Sequence, residues 1–103
     1  MSKVIATEII ELDGTDTAKT ILPLTREILD SSAGGQPSRA FITVRGAVVF
    51  VNRDGADPAV ATGNYEAFGN NGRIVVEGYD NMAAIKFGQL TQLTAKLYVT
   101  YEN

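Results

Sequence analysis

Apolar and polar positions alternate most clearly between residues 39 and 63, where the chain reads RAFITVRGAVVFVNRDGADPAVATG. The alternation predicts two adjoining β-strands, 40–45 and 47–53, followed by an acidic turn over 54–58. Val, Ile, Phe and Thr dominate both, which suits a pleated and partly buried surface. In the first strand Ile42 and Val44 point one way, and Thr43 and Arg45 the other. In the second, Val49 and Val51 alternate with Val48, Phe50 and Asn52. Both faces of the second strand are thus apolar as far as Phe50. Either a loop of the same domain covers the extra face, or that face is reserved for another chain.

The flanking segments follow the same logic. Residues 3–12, KVIATEIIEL, read as a strand with a phase slip near Glu8, Ile9 and Ile10. The slip marks a β-bulge or the point where an N-terminal arm leaves the domain. Asp13-Gly14-Thr15-Asp16 turns the chain. Residues 18–24 form a short strand that Pro23 places at an edge or an end. Leu24 to Leu29 open one helical turn, with Thr25 as N-cap and Leu24 against Leu29 as a hydrophobic staple. A loop covers 31–37. Past the acidic turn come a short strand over 64–68 and the turn Gly69-Asn70-Asn71-Gly72, in which Asn-Gly favours positive φ at both central residues. Residues 73–78, 83–87 and 95–101 are the last strands. The pattern predicts an all-β fold: a small antiparallel β-sandwich or barrel of seven to eight strands. It is one domain over 1–103, with 1–12 as an N-terminal arm or an edge strand.

Composition narrows the chemistry. A chain of 103 residues forms a single core and buries roughly two-thirds of the surface its unfolded form exposes. Histidine and cysteine are both absent, which removes disulfides, thiolate ligands and every Ser–His or Cys–His nucleophile. Net charge is −3, and the imbalance lies in residues 1–30, with three basic and six acidic side chains. No basic stripe tracks a phosphate backbone, so nucleic-acid binding is not expected. No apolar run approaches the ~20 residues of a spanning helix, so no membrane partner is expected.

The remaining motifs read as structure. The acidic turns at 13–16 and 54–57 lack the D-x-D-x-D-G spacing of a calcium loop. No glycine pattern cradles a phosphate, so no metal or cofactor is expected. A carboxylate pair for glycoside cleavage would have to come from Asp54, Asp57, Glu66, Glu77 or Asp80, as many as an ordinary solvated surface carries. No catalytic residue is assigned. Tyr65, Phe68, Tyr79 and Tyr98 are core or interface aromatics, or platforms for stacking on sugars.

From Ala40 onward the signals run Phe41-Ile42-Thr43-Val44, Ala47-x-Val49-x-Val51, Asp54-Gly55-x-Asp57-Pro58 and Gly63. Ile74-x-Val76-Glu77-Gly78 follows, and the chain ends in Ala95-Lys96-Leu97-Tyr98-Val99-Thr100-Tyr101-Glu102. This order resembles small β-rich virion structural proteins of tailed bacteriophages, over about the last sixty residues. The resemblance implies a non-enzymatic cement or decoration protein on the capsid surface, made in the cytoplasm of a bacterial host. Its implied partners are the major capsid protein and further copies of itself. A tail, connector or fibre-associated subunit, or a carbohydrate-binding module, are the alternatives. Relatives carry polar side chains where this chain has Val48 and Phe50. The resemblance therefore puts Val49 and Val51 in the core and leaves Val48 and Phe50 outside. Together with Tyr65, Phe68, Tyr79 and Tyr98 they form the expected protein interface.

Overall fold

β-Branched and aromatic residues at alternate positions set the strands, and the short Gly, Asn and Pro segments between them decide where the chain changes sheet. The computed structural model describes residues 4–13, 20–30, 37–58, 63, 65–89 and 93–103. They form β1 (Val4–Asp13), β2 (Thr20–Pro23), α1 (Arg26–Leu29), β3 (Arg39–Gly46), β4 (Val49–Asn52), β5 (Glu66–Phe68), β6 (Arg73–Glu77), α2 (Tyr79–Ala84), β7 (Lys86–Gln89) and β8 (Thr94–Glu102). Two four-stranded sheets result, a larger one of longer strands in the order β1-β8-β3-β6 and a smaller one in the order β2-β7-β4-β5. All neighbours are antiparallel. Only β4 and β5 are both consecutive and paired; every other connection between strands switches sheets. This is the small antiparallel β-sandwich that the alternation predicts, and its strand order is that of a jelly roll.

The core lies between the sheets. Ile10, Leu12, Ile42, Val44, Ile74, Val76, Leu97, Val99 and Tyr101 project from one sheet, and Val49, Val51 and Phe87 from the other. Leu24 and Leu29, the expected staple, are both buried, as is Met82 of α2. Thr25 stands at the N-cap of α1, but its side chain makes no capping bond.

Two sheet-switching corners hold each other. Gly46 has φ +96°, and a Cβ there would lie 2.9 Å from the Thr94 carbonyl oxygen, so only glycine fits. The second corner is 69–72, where Gly72 N–H donates to Gly69 O at 2.8 Å. Asn70 Oδ1 accepts from Gly46 N–H at 3.0 Å, and Asn71 Oδ1 accepts from Arg45. Among the described residues Asn71 is the one non-glycine with positive φ, 70°. The Asn-Gly pair Asn71-Gly72 predicts positive φ at Gly72 as well, and Gly72 does not have it. A turn between strands of different sheets has no hairpin twist to match, so that requirement lapses.

Other expectations are corrected. In β1 the alternation does not slip at Glu8–Ile10: Ala6, Glu8, Ile10 and Leu12 share the inward phase, and Ile9 points out. The register shift lies earlier, between Val4 and Ala6. Polar Glu8 on an inward position mimics a slip. β1 is paired along its length with β8 as an edge strand. The strand expected at 83–87 is displaced, because Ala83 and Ala84 end α2 and β7 starts at Lys86. A six-residue helix after a glycine at φ +90° is too short to show helical periodicity. β4 starts at Val49 because Ala47 and Val48 belong to the corner. The expected turn at 13–16 lies, past Asp13, outside the described residues, as does the loop at 31–36.

Candidate functional site

The register defines what the outer face of the larger sheet presents, because directly opposed residues share a face. Ile9, Tyr98, Thr43 and Arg73 form one cross-strand row, and Thr7, Thr100, Phe41 and Val75 the next. Glu11, Lys96 and Arg45 flank these at one end, and Glu102, Arg39 and Glu77 at the other. Ile9 is 61% exposed, Val75 46% and Tyr98 42%; Phe41 is exposed too. The Arg39 guanidinium lies 5.9 Å from the Phe41 ring centre. An open depression of about 550 Å³ runs along Thr7, Ile9, Tyr98 and Thr100. Four large apolar side chains thus stand in two adjoining rows of one exposed sheet face, with charged rows on either side and exposed Val4 opposite Glu102.

The opposite outer face carries a smaller patch. Val49 and Val51 are fully buried. Val48 is 40% exposed, and Phe50 is half-buried with its ring 5.3 Å from that of Tyr65, edge to face. Tyr65 itself is exposed. Beside it, Asn52, Arg53, Asp54, Gly63 and Glu66 line a polar depression of about 320 Å³. Arg53 Nε donates to Glu66 Oε2 at 2.6 Å.

The six residues expected at an interface therefore do not converge. Val48, Phe50 and Tyr65 belong to the smaller sheet's side, and Tyr98 to the larger sheet's outer face. Phe68 is half-buried and packs on the core. Tyr79 opens α2, donates its hydroxyl hydrogen bond to Asp30 and lies 5.9 Å from the Arg26 guanidinium. That bond to Asp30 raises the Tyr79 pKa. Tyr79 thus ties α2 to α1. The expected interface did not include Ile9, Phe41 or Val75. Period-two alternation against Thr7, Thr43 and Arg73 carries that signal, once Glu8 is accepted as inward.

Of the candidate carboxylates, Asp54, Asp57 and Glu66 have structural partners. Asn52 Oδ1 accepts from Asp54 N–H at 2.8 Å, and Asp54 Oδ1 from Ala56 N–H at 3.0 Å, which folds the acidic turn on itself. Asp57 pairs with Lys86 at 3.1 Å. Glu8 accepts from Thr25 Oγ1 at 2.6 Å and from Tyr101 at 2.9 Å. Burial, then the charge and hydrogen bond of Glu8, hold the Tyr101 pKa far above its usual range. Among the described residues no group of three acidic side chains is placed to hold a metal, and no helix is long and apolar enough to cross a membrane. Compared with protein-family models, curated proteins and solved structures, the chain matches none of them.

Proposed function

We propose that this protein is a non-catalytic structural subunit of a tailed-phage particle, a cement or decoration protein on the capsid that bridges neighbouring subunits. The observation that carries the reading is the exposure of large apolar side chains on both outer faces of the sandwich: Ile9, Phe41, Val75 and Tyr98 on one, Val48 and Tyr65 on the other. A binder with two adhesive faces suits a protein that works by covering its neighbours. The resemblance from Ala40 onward supports the virion assignment. The jelly-roll strand order, common to viral shell proteins, lectins and cupins, is compatible with it by fold analogy. Mechanistically the effect is mass action: a ligand that binds only the assembled lattice stabilises it by RT ln(1 + [L]/Kd) per site. Cryo-EM of particles carrying the protein tests this, by locating the domain and whatever lies against Phe50 and Tyr65.

A sugar-binding role is the second reading, favoured by exposed Tyr65 beside Arg53, Asp54 and Glu66. Specific glycan-array binding that is lost in folded Tyr65→Ala would favour it over cement.

A further inference from the structure

The corner that joins β5 to β6 contains Asn71-Gly72, the one Asn-Gly pair in the chain. Its geometry demands those two residue types. Asn71 has φ 70°, which asparagine tolerates better than most side chains do. A Cβ on Gly72 would lie 2.9 Å from the Gly69 carbonyl oxygen and 3.2 Å from the Phe68 Cβ, which leaves no room for a side chain. The same pair is chemically the most labile that asparagine forms. The backbone nitrogen of the next residue can attack the asparagine side-chain amide, and a glycine there leaves the approach open. Asn52, Asn70 and Asn81 are followed instead by Arg53, Asn71 and Met82, whose side chains obstruct it.

We propose that Asn71 is a site of spontaneous covalent modification, deamidation through a cyclic succinimide, and that the folded corner sets its rate. In this reaction the Gly72 nitrogen gives up its proton and attacks Cγ of Asn71. The N–Cγ bond forms, the Cγ–Nδ2 bond breaks, and ammonia leaves with the proton. Water then opens the ring at one of two bonds. Cleavage of the new N–Cγ bond gives aspartate. Cleavage between the nitrogen and the backbone carbonyl carbon of Asn71 gives isoaspartate, with the main chain rerouted through Cβ and Cγ. Water enters, ammonia leaves, and nothing is oxidised or reduced.

Hydrogen bonds oppose the attack in the closed corner. Gly72 N–H donates to Gly69 O at 2.8 Å, so the nucleophilic nitrogen is engaged. Asn71 N–H donates to Val44 O, and Gly72 O accepts from Val44 N–H, both at 2.8 Å. The peptide between Asn71 and Gly72 is thus pinned on both sides. Arg45 donates to Asn71 Oδ1 and ties the side-chain amide to β3. Asn71 is exposed, so base and water reach the site once the corner opens, and the opening equilibrium governs the rate. The two products differ in consequence. Aspartate keeps the backbone and offers Arg45 a carboxylate. Isoaspartate lengthens the main chain between the Asn71 Cα and Gly72, so Gly72 cannot keep its bonds to both Gly69 and Val44. Neither the reaction nor its test depends on a capsid.

The experiment is peptide mapping by mass spectrometry, with isoaspartate detection, on the purified chain held at mildly alkaline pH, folded and in denaturant. The expected result is the small mass gain of NH2 replaced by OH, in the peptide holding residue 71, with both isomers present. Asp13-Gly14 and Asp54-Gly55 can also yield isoaspartate, but without a mass gain, so the mapping separates them. The denatured chain should react about tenfold faster or more, as for any site protected by local opening. Arg45→Ala should speed the folded reaction by about threefold, the shift that loss of one exposed charged hydrogen bond allows. Arg45→Gln takes its place if Arg45→Ala does not fold. Asn71→Gly, which accepts the positive φ, should fold and show no gain in that peptide. The purified isoaspartate form should melt below the parent, and the aspartate form with it. A folded chain that never gains mass at residue 71, or equal rates with and without denaturant, would overturn the proposal. So would an Arg45 variant no faster than the parent, or an isoaspartate form that melts where the parent does.

Discussion

The phenolic oxygen of Tyr101 donates a 2.9 Å hydrogen bond to Oε2 of Glu8, tying the last strand to the first on the inward side of the larger sheet. The other carboxylate oxygen, Oε1, accepts from Thr25 Oγ1 at 2.6 Å, which brings the start of α1 into the same network. Three segments distant in sequence thus meet at one inward-facing carboxylate. Glu8→Ala should destabilise the domain by about 2 kcal/mol, because it leaves the Tyr101 hydroxyl partly buried without its acceptor. Denaturant melts of Glu8→Ala, Tyr101→Phe and the double variant measure it. The double variant should cost less than the sum of the singles.

The same contact fixes a pH dependence. The Tyr101 pKa is raised in the folded protein, by burial first and by Glu8 second. An unfolded tyrosine ionises near pH ~10. Above that the unfolded chain releases a proton that the folded chain keeps, so stability is full below pH ~10 and falls as pH rises further. The melting temperature should therefore drop on the alkaline side. Tyr101→Phe should flatten that limb; an identical decline in the variant would contradict the assignment.

Gly46 carries the corner between β3 and β4, and its substitution tests that corner. With φ +96° and a Cβ that would meet the Thr94 carbonyl oxygen at 2.9 Å, Gly46→Ala should cost about 2 kcal/mol or more. Gly55 also has positive φ, yet a Cβ there meets nothing within 4 Å. Gly55→Ala should cost about 1 kcal/mol. Paired melts of the two variants separate crowding from conformational strain.

Local alternation made most of the strands legible in the sequence. Ile42 and Val44, Val49 and Val51, Ile74 and Val76, and the run Leu97-Val99-Tyr101 all have the inward phase their spacing demands. Sheet switching was not legible, because it depends on long-range contacts such as Gly46 against Thr94 and Asn70 against Gly46. The exposed apolar rows of the larger sheet were hidden for a related reason. Glu8 looks like an outward residue until Tyr101 and Thr25 are seen to satisfy it, so the strand reads as slipping in phase near Ile9. α2 was missed because six residues carry no usable helical period.

The acidic turn 54–58 closes through its own side chains, and its behaviour should follow from that. Asp54→Asn keeps an oxygen for the Ala56 amide and should change stability by no more than about 0.5 kcal/mol. Chelation with EDTA should leave the melt unchanged. A melting temperature that rises on adding calcium would contradict this account of the turn.

Phe50 and Val51 are neighbours in β4 with opposite fates, and comparing them tests the proposed function most directly. Val51 is fully buried, so Val51→Ser should destabilise the isolated domain by about 3 kcal/mol. Phe50 is half-buried against Tyr65, and Phe50→Ser should cost about 1 kcal/mol. The decisive measurement is the affinity of folded Phe50→Ser for capsid shells that lack the protein. Loss of an aromatic anchor worth about 2 kcal/mol corresponds to roughly thirtyfold weaker binding. That loss, in a domain that still melts cooperatively, is the predicted result. Binding equal to that of the parent chain, or no binding by either, would contradict the claim that this protein works by covering a shell with its outer faces.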